Sequence, residues 1–183
     1  MQVVGRLTKV LTLILSVVLI GVLGGVQTAS ATGTSGVIAS YNGGTIDLSQ
    51  GWGTASVCAV TSTGTSCFVS QANYQAWLTS ELALGALGVE LAPSGNCSTG
   101  FKLFSHINYG GTELVLFAQS SWINLSAYSF SDVLSSYKVG ACAVGMTAGP
   151  NGSGAVYPGA TSPGSDVTTL GAWNDRVQSV YII

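Results

Sequence analysis

Shifted against itself by 43 residues, the second half of this 183-residue chain repeats. Phe130-Ser131-Asp132-Val133-Leu134-Ser135-Ser136 falls on Trp173-Asn174-Asp175-Arg176-Val177-Gln178-Ser179. Val139 falls on Ile182 and Gly111 on Gly154, without a gap. An aromatic, an Asp four residues before a Ser, and a distant glycine thus recur in one register. Two copies are too few for a solenoid, whose units bury their faces by stacking in longer arrays. They suit a small sandwich of two similar Greek-key units. The predicted fold is mostly β, preceded by a small α+β segment with one helix.

Composition narrows what such a sandwich could do. Only 7% of residues are charged, whereas 47% are hydrophobic. The five basic residues are too few for a phosphate-neutralising surface, so nucleic acid is excluded as a partner. A single histidine, His106, cannot supply the usual zinc site or serve several catalytic roles. The 25 glycines and 4 prolines, with many Ser and Thr, fit short strands and tight turns.

The first 31 residues read as a secretory signal peptide. Arg6 and Lys9 precede the apolar run 10–26, and Ala29-Ser30-Ala31 forms a small-x-small cleavage box. The alternative is an uncleaved membrane anchor. Seventeen residues lie at the short end for a span, and Gly24 and Gly25 interrupt the run. Cleavage after Ala31 predicts a secreted, extracellular protein with no membrane partner. Its charged side chains would be three basic (Lys102, Lys138, Arg176) and seven acidic, a net charge of −4.

Four cysteines in an exported chain favour two disulfides. Cys58 and Cys67 flank the turn-like TSTGT, which a hairpin would bring together, so the expected pairs are Cys58–Cys67 and Cys97–Cys142 among three connectivities. Residues 32–45 read as a loose arm, and 46–69 as short strands. Residues 71–84 read as a helix capped by Ser70, with Tyr74, Trp77, Leu78 and Leu82 forming its apolar stripe. The organisation is then a signal peptide (1–31), an N-terminal segment (32–91), a linker (92–100) and a two-motif domain (101–140 and 141–183). The segment either packs on that domain as an extra layer or stands apart.

Phe104-Ser-His-Ile-Asn-Tyr109-Gly-Gly111 resembles the hairpin signature of βγ-crystallins, aromatic-x4-aromatic-x-Gly, and Ser136 matches that family's second signature position. The glycine permits a positive φ or a close approach, and the serine ties the folded hairpin. In the second copy Thr147 and Gly152 stand where aromatics are expected, and TAGPNGSG reads as an irregular loop. The leader segment IDLSQGWGTASVCAV is similar to those of secreted actinobacterial proteins with such domains.

The resemblance implies Ca²⁺ as a low-affinity cofactor. Family members that bind it carry [N/D]-[N/D]-x-x-[S/T]-S in each motif, and here the copies read SDVLSS and NDRVQS. One site would use Asp175, the Val133 carbonyl and Ser135, all hard oxygen ligands. Its mate would use Asp132, the Arg176 carbonyl and Gln178, where a longer amide replaces a hydroxyl and Arg176 adds a cation. Without metal, the two Asp residues would cap turns and the serines would tie hairpins.

Catalysis is not expected, because His106 falls at a variable hairpin position and none of the acids pair by sequence. The resemblance also implies a second reading, inhibition of an extracellular protease. The stretch 147–166 would be its exposed loop, with a flexible Gly/Pro insertion as the plainer alternative.

Overall fold

A computed structural model describes residues 36–86, 99–117 and 121–183, all inside one compact unit, Gly33–Ile183. The predicted signal peptide and most of the predicted linker lie outside these residues. The strands are β1 (Ile38–Tyr41), β2 (Gly44–Asp47), β3 (Val57–Thr61), β4 (Gly64–Phe68), β5 (Phe101–His106), β6 (Gly110–Leu116), β7 (Ile123–Asn124), β8 (Ser136–Lys138), β9 (Val144–Thr147), β10 (Asp166–Val167) and β11 (Ser179–Ile182). One helix, α1 (Gln71–Ala86), follows β4.

The two motifs interlock. β5, β6 and β8 form one sheet with β10, whereas β9 and β11 form a second sheet with β7. Each motif thus lends its third strand to the other, so the halves share one core. Phe101, Leu103, Leu114, Tyr137, Met146 and Val180 fill it and are almost wholly buried. The repeat is visible in the backbone as a pseudo-twofold exchange: Asp132 N–H donates to Val177 O at 3.1 Å, and Asp175 N–H donates to Leu134 O at 3.0 Å.

The N-terminal segment does not stand apart. β3 pairs in parallel with β6, Val57 opposite Glu113 through Val60 opposite Leu116, and β4, β1 and β2 extend the sheet to eight strands. The expected loose arm is a hairpin from Ile38 onward. Its turn, Asn42-Gly43, has φ of 48° and 76°, the left-handed pair that a two-residue hairpin turn requires. Trp52 buries its ring 5.7 Å from Phe130 and donates its indole N–H to Tyr128 O.

Ser70 caps α1 as predicted, accepting the Asn73 N–H at 3.2 Å. Tyr74, Trp77 and Leu78 lie on Val57, Ala59, Val115 and Phe117, on the sheet face opposite the main core. Leu82, expected on the same stripe, is 60% exposed. The buried contact involves only the first two turns, so the stripe ends at Leu78.

The disulfide Cys58–Cys67 joins directly opposed positions of β3 and β4, as the turn between them predicted. Cys142 is also in a disulfide, and its predicted partner Cys97 lies outside the described residues.

Candidate metal centre and the paired hairpins

The first hairpin, between β5 and β6, folds back over its sheet. Asn108 and Tyr109 take φ of 56° and 62°, and Gly111 takes 78°. A Cβ at Gly111 would sit 2.1 Å from the Ser105 hydroxyl, so only glycine fits. Ser136, fully buried, pins the fold by accepting the Tyr109 N–H at 2.9 Å and donating to His106 O at 2.6 Å. Phe104 and Tyr109 pack edge to face, 5.5 Å between centroids.

The second hairpin corrects the expectation of an irregular loop. Asn151, Gly152 and Gly154 have φ of 52°, 76° and 79°, matching their counterparts 43 residues earlier. Ser179 accepts the Gly152 N–H at 2.9 Å and donates to Gly149 O at 2.7 Å, as Ser136 does in the first hairpin. The missing aromatic is supplied from elsewhere. Trp122 occupies the space a side chain on Gly152 would take, its ring 2.3 Å from an ideal Cβ there, and it packs 5.6 Å from Tyr181. Thr147, at the position of Phe104, adds a hydroxyl that bonds Ser179 Oγ at 2.8 Å and Gly149 O at 3.1 Å.

The structure brings four of the predicted metal residues together in two pairs, each pair drawing one residue from each motif. In the first, Ser135 Oγ lies 3.3 Å from Asp175 Oδ1 and 3.0 Å from Ser105 O. Oxygens ligating one Ca²⁺ at right angles stand about 3.4 Å apart, so this spacing fits the ion. In the second pair the amide of Gln178 donates to both oxygens of Asp132, at 3.2 and 3.0 Å, and Ser131 donates to the same carboxylate at 3.2 Å. That carboxylate is occupied by neutral donors. The guanidinium of Arg176 lies over the Trp173 ring at 5.0 Å. Asp132 and Asp175 share φ of 58° and 57°, a left-handed turn that suits Asp. The Ser105 carbonyl was not among the predicted ligands; only the folded hairpin puts it beside Ser135.

Among the described residues no cluster of three His, Cys, Asp or Glu side chains could hold a metal. An ion at the Asp175 pair would meet one carboxylate together with hydroxyl and carbonyl oxygens, all hard ligands. His106 is exposed on the hairpin.

No family model and no curated protein matches the sequence. Solved structures of βγ-crystallin domains do. A domain from Clostridium beijerinckii is 27% identical, with 45% of this chain and 95% of that one covered and a TM-score of 0.39. A βγ-crystallin from Ciona intestinalis is 22% identical, covering 45% and 98%, at 0.39. A clostrillin double mutant in complex with nickel is 28% identical, covering 45% and 95%, at 0.38. The likeness spans under half of this chain. The interlocked Greek keys, the folded hairpins and their tying serines make the architecture βγ-crystallin-like.

Proposed function

We propose that this protein is a secreted, non-catalytic βγ-crystallin-like module that binds one Ca²⁺ weakly and gains stability from it. The observation that carries the reading is the asymmetry of the two pairs. Asp175 and Ser135 present oxygens at ligand spacing, whereas Asp132 is capped by the Gln178 amide. Few charged ligands imply low affinity, in the range of extracellular modules, about 10⁻⁴ to 10⁻³ M. An ion bound only by the folded state would raise the melting temperature by mass action. Calorimetric titration with Ca²⁺ should give one weak site that Asp175→Gly abolishes, a substitution that removes the ligand and tolerates the left-handed backbone there. No heat and no rise in melting temperature at millimolar Ca²⁺ would overturn the reading.

A second reading, inhibition of an extracellular protease, gains support from the anchoring of the stretch 147–166. Tyr157 is buried between Tyr137 and Trp173, and Tyr137 donates to Ala160 O. Gly164 N–H bonds Gly140 O at 2.7 Å. Pro158, Gly159 and Ala160 stay exposed on this fixed frame. A held, exposed loop loses little entropy on docking, which an inhibitor needs. Assays against thermolysin-like and subtilisin-like proteases decide it: absence of inhibition at micromolar protein removes the reading.

A further inference from the structure

The outer face of the larger sheet is covered by α1 at one side and by the first folded hairpin at the other. Between them lies a groove of about 360 Å³, with Phe104 and Glu113 among its lining, Tyr109 on the hairpin side and Gln71 on the helix side. Lys102 and Lys138 also line it, and these are two of only three basic residues between positions 32 and 183. They are directly opposed on β5 and β8. Like charges so placed, with Cβ atoms about 5 Å apart, destabilise a sheet.

The carboxylates nearby do not exhaust these ammonium groups. Lys102 stands 3.4 Å from Glu113 Oε1, an ion-pair distance without hydrogen-bond geometry, and that buried oxygen has no hydrogen-bond partner. Burial pushes the Glu113 carboxyl above its ordinary value, and Lys102 only partly opposes this; Tyr74 of α1 also faces it. Lys138 bonds Asp166 at 2.7 Å, a half-exposed pair, and lies 4.0 Å over the Tyr109 ring. Each ammonium has three donors, so both keep N–H groups for a further acceptor. The groove lining itself carries two positive charges against one negative, in a chain whose residues 32–183 are net negative.

We infer that this groove binds a small organic carboxylate, its anionic head between Lys102 and Lys138 and its apolar body against Val57, Phe104 and Tyr109. The bridging of two ammonium groups supplies the charge recognition, and the aromatic pair supplies the apolar wall. Neither Asp175 nor Ser135 lines the groove, and the titration is run on Ca²⁺-free protein, so its outcome does not depend on the Ca²⁺ reading.

The probe is phenylacetate, with neutral phenylacetamide as its match, titrated into ¹⁵N-labelled protein. Phenylacetate should shift the amide signals of Gly111, Glu113 and Lys138 saturably below about 10 mM, and more weakly as salt rises. Lys138→Gln should weaken it about tenfold or more; its half-exposed ion pair contributes little to folding, so the variant stays folded. Lys102→Gln is the second variant and should weaken binding likewise. Equal binding of phenylacetamide, unchanged affinity in both lysine variants, or no saturation would overturn the proposal.

Discussion

Ser136→Ala and Ser179→Ala remove the same atom from the two copies of one motif, yet they should differ in cost. Ser136 Oγ is the side-chain link that joins Tyr109 N–H and His106 O at 2.9 and 2.6 Å. Deleting it orphans a donor and an acceptor beneath a folded hairpin. Each buried orphan costs about 1–3 kcal/mol, so the partly buried pair should cost about 3 kcal/mol. Ser179 makes the equivalent bonds, but Thr147 stands beside it. The Thr147 hydroxyl already reaches Gly149 O at 3.1 Å and can satisfy it alone. Only the Gly152 N–H is then orphaned, for about 1.5 kcal/mol. At about 3 °C per kcal/mol for a domain of this size, the melting temperature should fall by about 9 °C and about 4–5 °C respectively. Urea denaturation of the parent and both variants measures the difference. Thr147→Val should add more to Ser179→Ala than it costs alone, since each hydroxyl backs up the other. An equal or larger loss for Ser179→Ala, or a loss under about 1 kcal/mol for Ser136→Ala, would refute the argument.

Trp122→Ala should cost about 3 kcal/mol, because it opens the space over Gly152; Gly152→Tyr should destabilise the parent but partly rescue Trp122→Ala, as read by thermal melts of the single and double variants. Gln178→Ser should free Asp132 from its amide cap and raise the Ca²⁺ stoichiometry from one to two in calorimetry; no change would show that the cap is not what disables that pair. Glu113, raised by burial from its ordinary 4.5, binds a proton more readily folded than unfolded. Its contribution to stability is therefore fully present below the ordinary value and is lost as pH rises through the raised one. The melting temperature should climb on acidification through that window in the parent, and this component should vanish in Glu113→Gln.

Some of this was legible from residues in order. The 43-residue register, the glycine at 111, the serines at 136 and 179 and the Cys58–Cys67 hairpin are local patterns, set by turn chemistry and by side chains bonding nearby backbone. These determined that two Greek keys form and which hydroxyls tie them. The Asp175 and Ser135 pair could be nominated only through what the family resemblance implies, since in the repeat's register Ser135 falls on Gln178. Contacts across the sheets were not legible. That β3 joins β6 in parallel follows from which sheet edge is open, and Leu82 is exposed because the helix contact ends at Leu78. Trp122 stands for a missing aromatic 30 residues away from its own place in the register, a substitution invisible to any alignment of the two copies. The difference between the Asp132 and Asp175 pairs likewise arises in space, where a Gln amide from one motif meets a carboxylate from the other. So the sequence alone determined the motif and its symmetry. Tertiary packing decided where that symmetry breaks, because only there do groups distant in the chain compete for the same atoms and the same volume.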